Sequence, residues 1–212
     1  DEGVAALALA FLEWRASSSG EAEARKLGEE LAEVPWLPTG DGRLRRVREA
    51  FEPSQSPGHF HTVRDKQAKV GEIIARRGLK AELVWRVLRL LGMKEEITWE
   101  DAVEEAESIA EHGDVERAKL LLLHLNRSHS ALQGARAAAI QRLQGLAWAP
   151  ANRPPAGTEP RGKLQLLRLC EAFPASATGL VWAVAPSLCT DSSVAELRPG
   201  RTIEAEPEIL VE

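Results

Sequence analysis

Along most of the chain, apolar residues recur every three or four positions, which is the spacing of amphipathic helices. The clearest case is residues 81–91, where five apolar side chains share one face: Leu83, Val84, Val87, Leu88 and Leu91. Further helices are predicted at residues 5–15, 18–33, 69–77, 99–111, 115–126, 130–145 and 163–173. We therefore predict a mainly α fold, with short helices in a repeat-like array.

Helix-start and helix-stop signals lie at the edges of these segments. Thr98 stands three residues before Asp101, which is the spacing of a capping box. Asp114 is placed to begin the helix at residues 115–126, and Gly92 and Gly113 follow helices, as left-handed glycines do. The same kind of start signal is read from Ser18 with Glu21 and from Ser130 with Gln133, and Gly145 marks a further stop.

Two Pro- and Gly-rich segments interrupt the helices, and each predicts a small β-hairpin. The first, EVPWLPTGDGRL, covers residues 33–44, and the second, LAWAPANRPPAGTEPRG, covers residues 146–162. In the first, the Gly-Asp-Gly turn reverses the chain so that Leu44 returns beside a buried Trp36. We expect hairpin elements near residues 35–46 and 146–184, with a strand at 180–184 and a flexible loop at 150–162.

The two interruptions align with each other. Trp36 and Pro38 recur 112 residues later as Trp148 and Pro150, and the tripeptide Glu-Ala-Phe at residues 49–51 recurs at residues 171–173. We read these segments as two copies of a structural joint in a repeated array. The predicted joint residues are Pro35, Trp36, Pro38, Gly40, Gly42, Phe51, Trp148, Pro150 and Phe173. The predicted sub-units are residues 1–65, which end one repeat, and residues 66–212, which form most of the next.

The net charge of −5 is unevenly distributed over the 212 residues. Residues 43–80 hold ten Lys or Arg against four Asp or Glu, whereas residues 94–116 hold ten Asp or Glu against one Lys. Two solvated faces are the simpler explanation of this pattern, and electrostatic docking to a neighbouring unit or partner is the alternative. For the second alternative, the candidate partner-binding residues are Arg43, Arg45, Arg46 and Arg48.

Several patterns that resemble functional motifs are incomplete. Residues 157–163 match the first seven positions of a P-loop, but Leu164 stands where Mg²⁺ binding needs Ser or Thr. His59 and His61 lack a second pair of metal ligands. A helix-turn-helix ending in residues 99–111 would present carboxylates to phosphates, and these carboxylates are predicted to be a solvated helix face. We therefore predict no catalytic residue, cofactor or metal, and no nucleic-acid partner.

Compartment and membrane association can also be predicted. No apolar run approaches the length of a membrane span, so no membrane partner is expected. The two cysteines have neither metal spacing nor a disulfide framework, which favours a reducing, cytoplasmic location. Cys170 is interpreted as a core residue of an apolar helix. The chain is expected to be an excised fragment or a processed product.

The order of these elements resembles the large internal repeats of the sacsin family. The matching positions are residues 91–94 (LGMK), 99–101 (WED), 106–109 (AESI), 35–38 (PWLP), 40–42 (GDG) and 51–53 (FEP). The resemblance implies a non-ATPase, helical portion of a cytosolic co-chaperone or scaffold. Its partners would be client proteins and neighbouring repeat units, in protein quality control or intermediate-filament organisation. The alternatives are part of a GHKL-type chaperone ATPase, whose motifs are missing here, and a helical nucleic-acid-binding domain.

Overall fold

Short helices form most of the structure, a computed structural model that describes residues 2–19, 30–53, 60–152, 164–177 and 186–198. They are accompanied by a two-stranded and a three-stranded antiparallel sheet. The prediction of a mainly α fold with small β elements is therefore confirmed. The chain divides into two compact units, Asp1–Ile97 and Thr98–Glu212. These units divide the chain at a different place from the sub-unit boundary predicted at residue 65.

The first unit consists of helices packed around one short hairpin. Its helices are α1 (Glu2–Ser19), α2 (His61–Asp65), α3 (Gly71–Arg77) and α4 (Ala81–Leu90), and its strands are β1 (Leu37–Pro38) and β2 (Leu44–Arg45). Leu9 and Leu12 of α1 pack in one core with Leu88 of α4 and with Trp36. The amphipathic pattern of residues 81–91 buries Val84, Val87, Leu88 and Leu91, as the sequence predicts.

In its described residues, the second unit places three helices beside a small sheet. The helices are α5 (Trp99–His112), α6 (Val115–Ser128) and α7 (Arg136–Gly145), and the strands are β3 (Ala149–Asn152), β4 (Leu164–Leu167) and β5 (Ser187–Leu188). Both neighbouring strands pair antiparallel with β3, in the order β4-β3-β5. Helix α5 contacts both α6 and α7 and buries residues on most of its circumference.

Helix ends follow most of the sequence signals. Thr98 Oγ1 accepts the Asp101 amide, while the Asp101 carboxylate accepts the Thr98 amide at 2.9 Å, which completes the predicted capping box. Gly113 ends α5 at φ 71°, and Asp114 caps α6 by accepting the amide of Arg117. Gly92, at φ 93°, likewise takes the left-handed conformation after α4.

One predicted helix and two predicted helix starts are wrong. Residues 163–173 do not form a helix: Leu164–Leu167 pair with β3 and Leu169–Glu171 form a 3₁₀ turn, because a short leucine-rich run serves a strand as well as a helix. Ser130 caps no helix, since α7 begins at Arg136. Ser18 lies inside α1, and its expected partner Glu21 lies outside the described residues.

Two further predictions concern the second interruption. The strand at residues 180–184 lies outside the described part of the chain. The loop predicted to begin at residue 150 is wrong at its start, because Pro150 and the two residues after it belong to β3; residues 153–163 are not described. Among the described residues, no helix is both long and apolar enough to cross a membrane.

Candidate functional site: a hairpin joint in both units

Each unit contains a buried tryptophan that is held by the same hydrogen bond. Trp36 Nε1 donates to the carbonyl oxygen of Leu31 at 2.9 Å, and Trp148 Nε1 donates to that of Leu143 at 2.9 Å. Their indoles are 2% and 0% exposed, so the predicted burial of Trp36 is confirmed. In both cases the donor satisfies a carbonyl five residues earlier, at the end of the preceding helical segment. The indole therefore fixes how the chain leaves that segment.

The residues after each tryptophan form hairpins with the same register. In the first, Leu37 pairs with Arg45 and Pro38 with Leu44. In the second, Ala149 pairs with Leu167 and Pro150 with Leu166. The proline carbonyls also have matching partners, because Pro38 accepts the amide of Lys69 and Pro150 that of Cys189. We call these elements, from residue 31 to 51 and from 143 to 173, the first and second joints.

The end of each joint also has the same structure in both units. A 3₁₀ turn follows the hairpin, and the Glu49 and Glu171 carboxylates accept the amides of Arg46 and Arg168, respectively. Next comes a buried phenylalanine whose backbone pairs with a distant segment. Phe51 donates to Lys66 and accepts from Ala68; Phe173 donates to Pro186 and accepts from Leu188. The two joints thus share main-chain pairing from the tryptophan to the phenylalanine.

The turn of the first joint is organised by Asp41. Its carboxylate accepts the Thr39 hydroxyl at 2.8 Å, the Arg43 amide at 3.1 Å and the Arg45 guanidinium at 2.8 Å. Partial burial raises the pKa of Asp41, but these three hydrogen bonds and the charge of Arg45 outweigh that effect and lower the pKa to about 2. Asp41 is therefore a fixed anion that closes the turn.

Two glycines have separate roles in this turn. Gly42 has φ 78°, a left-handed conformation in which other residues are strained. Gly40 lies against the end of α2, where a Cβ would stand 2.4 Å from the carbonyl oxygen of Arg64. The amide of Asp41 also donates to the carbonyl oxygen of Asp65 at 3.0 Å. The glycines therefore allow the first joint to dock on α2 through backbone atoms.

The four candidate arginines do not form one free basic cluster. Arg45 pairs with Asp41 at 2.8 Å and Arg48 with Glu33 at 2.8 Å, so both side chains are engaged within the first unit. Arg43 has a 3.7 Å contact with Asp41, yet its side chain is 78% exposed, and Arg46 is also exposed. Arg43, Arg46 and Arg48 combine position in the joint with exposure, and of these Arg48, 58% exposed, is held in the ion pair with Glu33.

The other predicted joint residues divide by exposure. Phe51 and Phe173 are buried, as is Pro150, whereas Pro35 is exposed and Pro38 half-buried. An open groove of about 630 Å³ runs beside the first hairpin and is lined by Pro38, Leu44, Lys69 and Arg76 among others. Its mixed apolar and charged lining suits a peptide surface better than a small-molecule pocket, which is usually enclosed and largely apolar.

The prediction that the carboxylates of α5 are a solvated face is wrong for two of them. Asp101 is 2% exposed because it caps its own helix, and Glu105 is 1% exposed because it pairs with Arg117 of α6. A sequence signal was present, since Glu105 shares the apolar face of Ala102 and Ile109 by helical spacing. The sequence pattern also does not predict the ion pair between Arg89 and the buried Glu52, whose charged atoms lie 2.9 Å apart.

The remaining candidates for chemical reactivity or metal binding are the cysteines and the histidines. Cys170 is exposed, so its interpretation as a core residue is wrong; it follows the strand β4 rather than an apolar helix. Burial raises the pKa of the Cys189 thiol, which disfavours a thiolate nucleophile there. Within the described ranges, no three His, Cys, Asp or Glu residues converge as metal ligands. His59 and the P-loop-like residues 157–163 lie outside those ranges.

Both joints have the same paired backbone and buried aromatic residues. This shared geometry indicates that the joints have a structural role. Comparison with protein-family models, curated proteins and solved structures returned no match for this chain.

Proposed function

We propose that this chain is a non-catalytic portion of a cytoplasmic repeat scaffold of the sacsin-like kind, which binds client proteins and neighbouring repeat units. The observation that supports the proposal is the recurrence of one hairpin joint, with the same hydrogen bonds, in both units of the chain. A repeated supersecondary element stacks on its neighbours and presents an extended surface. The sequence resemblance to sacsin repeats supports roles in protein quality control or intermediate-filament organisation.

The client-binding part of the proposal is tested by aggregation suppression. An enzyme that unfolds and aggregates on heating is heated together with the chain in the absence of nucleotide, and its aggregation is followed by light scattering. We expect the chain to suppress scattering, and the double variant Arg43→Glu, Arg46→Glu to lose most of that effect. The matched control is Arg77→Glu, Lys80→Glu, which makes the same charge change at exposed positions of the same unit. Equal activity of the two variants, or no suppression by the parent chain, would reject a client site at the first joint.

The ATPase alternative is tested by titration calorimetry with ATP and Mg²⁺. We expect no heat of binding, and a micromolar affinity would replace the scaffold proposal with a nucleotide-dependent one. The nucleic-acid alternative is tested by gel shift with duplex DNA and single-stranded RNA across a salt series. Binding that weakens steeply with salt would favour that alternative.

A further inference from the structure

Helices α1 and α6 occupy equivalent places in the two units. A shift of 113 residues along the sequence aligns Ala5 with Ala118, Leu9 with Leu122 and Leu12 with Leu125. All six residues are at most 1% exposed. Each helix also contacts the first strand of its joint, α1 with β1 and α6 with β3. The faces that pack on the two joints are therefore the same.

Next to this face, each helix has a second face, which is covered by another helix in α6 but, among the described residues, not in α1. On α6, this face carries Arg117, Leu121 and His124, at the spacing of one helical stripe. Helix α5 packs against it: Arg117 donates to Glu105 at 2.7 and 2.9 Å and to Ser108 at 3.2 Å. Leu121 is 1% exposed and His124 is half-buried.

On α1, the equivalent positions are Val4, Ala8 and Phe11. Val4 is 53% exposed and Phe11 is 41% exposed, whereas Ala8 between them is half-buried against the core of the first unit. The two outer apolar side chains of the stripe therefore face solvent where α6 is covered. Exposed apolar residues arranged in a stripe mark an interaction surface more often than scattered ones do. Leu7 and Trp14 are exposed too, but their α6 equivalents, Leu120 and Arg127, are also exposed. Only the stripe of Val4, Ala8 and Phe11 thus has a covered counterpart.

We propose that this stripe of α1 binds an amphipathic helix of the α5 type, antiparallel to α1, supplied by a neighbouring repeat unit. The chemistry of that helix can be specified further. Val4 replaces Arg117, so a carboxylate at the position of Glu105 would be buried there without its guanidinium partner. The bound helix therefore carries an apolar residue at that position, and small apolar residues at those of Ala102 and Ala106. The identity of the partner rests on the proposed scaffold function, whereas the docking geometry rests on the two units alone.

A graft tests the proposal in the full chain. Residues 98–113 of this chain, with Glu105→Leu, are fused directly before residue 1, which keeps the register of α5 to α6. Hydrogen exchange followed by mass spectrometry then reports on α1. We expect the α1 amides to exchange about tenfold more slowly than in the ungrafted chain. The same graft with Glu105 retained should protect α1 less, because its carboxylate faces Val4.

Paired variants locate the contact. In the grafted chain, Val4→Asp, Phe11→Asp should abolish the added protection. Leu7→Asp should leave it, although Leu7 is 74% exposed. No protection by the graft, or equal effects of the stripe variant and of Leu7→Asp, would overturn the proposal. Two other results would also overturn the proposal. The ungrafted chain could form a dimer in sedimentation, or bind anionic vesicles, and that association could disappear in Val4→Asp, Phe11→Asp. Client suppression and nucleotide binding are measured separately, so either proposal can fail alone.

Discussion

The ion pair between Glu105 and Arg117 provides the most direct test of how α5 is held on α6. The side chains of Glu105 and Arg117 are 2% and 11% exposed, and both guanidinium contacts are shorter than 3.0 Å. Removing one member of a buried pair leaves the other charge desolvated, which costs about 3–5 kcal/mol. Replacing both members with apolar residues removes that cost and is close to neutral in other proteins.

We therefore expect Arg117→Val to lower the free energy of unfolding by about 3 kcal/mol, since the nearly inaccessible Glu105 carboxylate loses its guanidinium partner. Glu105→Leu should cost less, about 2 kcal/mol, because the longer Arg117 side chain can reach solvent more easily. The double variant should lose only about 1 kcal/mol, which gives a coupling near 4 kcal/mol.

The measurement is a double-mutant cycle in urea at pH 7, followed by far-ultraviolet circular dichroism. Lys119→Val, Glu116→Leu is the control cycle, since the Lys119–Glu116 pair lies on the same helix with Glu116 78% exposed. Its coupling should be at most about 0.5 kcal/mol. Additive losses at Glu105 and Arg117 would refute the reasoning, and with it the argument that an apolar residue must face Val4.

Three further predictions concern the joints. Trp148→Phe should lower stability by about 2 kcal/mol, because it leaves the Leu143 carbonyl buried without a donor, whereas exposed Trp14→Phe should change it little in the same urea titration. Asp41→Asn should cost about 1 kcal/mol at pH 7, after allowance for solvent screening. The pKa of Asp41 is lowered from 3.8 to about 2 in the folded chain, so its contribution is complete above pH 3.8 and is lost as the pH falls towards 2; a constant difference between parent and variant across that range would contradict this. Gly40→Ala should lower the thermal midpoint by several degrees, because its Cβ would overlap the Arg64 carbonyl, whereas Gly71→Ala has open space and should not.

The parts of the joint that sequence analysis found are those marked by rare residues. Trp36 and Trp148, each followed two residues later by proline, align without any structural knowledge. The helix caps at Thr98 and Asp114 were also predictable, because a capping side chain acts on amides two or three residues away. Local signals were thus sufficient at these two helix starts, whereas the same kind of signal at Ser18 and Ser130 marked none.

The parts that were missed depend on contacts between distant residues. Residues 66–69 and 186–189 pair with their joints in the same way, yet read KQAK and PSLC. Their shared role lies in backbone amides and carbonyls, which every residue except proline supplies in full. The leucine-rich strand β4 was predicted to be helical for a related reason. The spacing of its leucines fits a helix, and only its pairing with β3 shows that it is a strand.

The two joints together separate what a repeat of this kind needs from what it tolerates. The first closes its hairpin with Gly40, Asp41 and Gly42, docked on α2, whereas the second has a longer connection between β3 and β4. Despite this, the strand register and the tryptophan hydrogen bond are the same. Because loop-closure entropy grows slowly with length, the longer connection adds little cost once the strands are fixed at both ends. The hairpin is thus fixed by the buried indole before it and the paired phenylalanine after it, and the turn is free to differ between units.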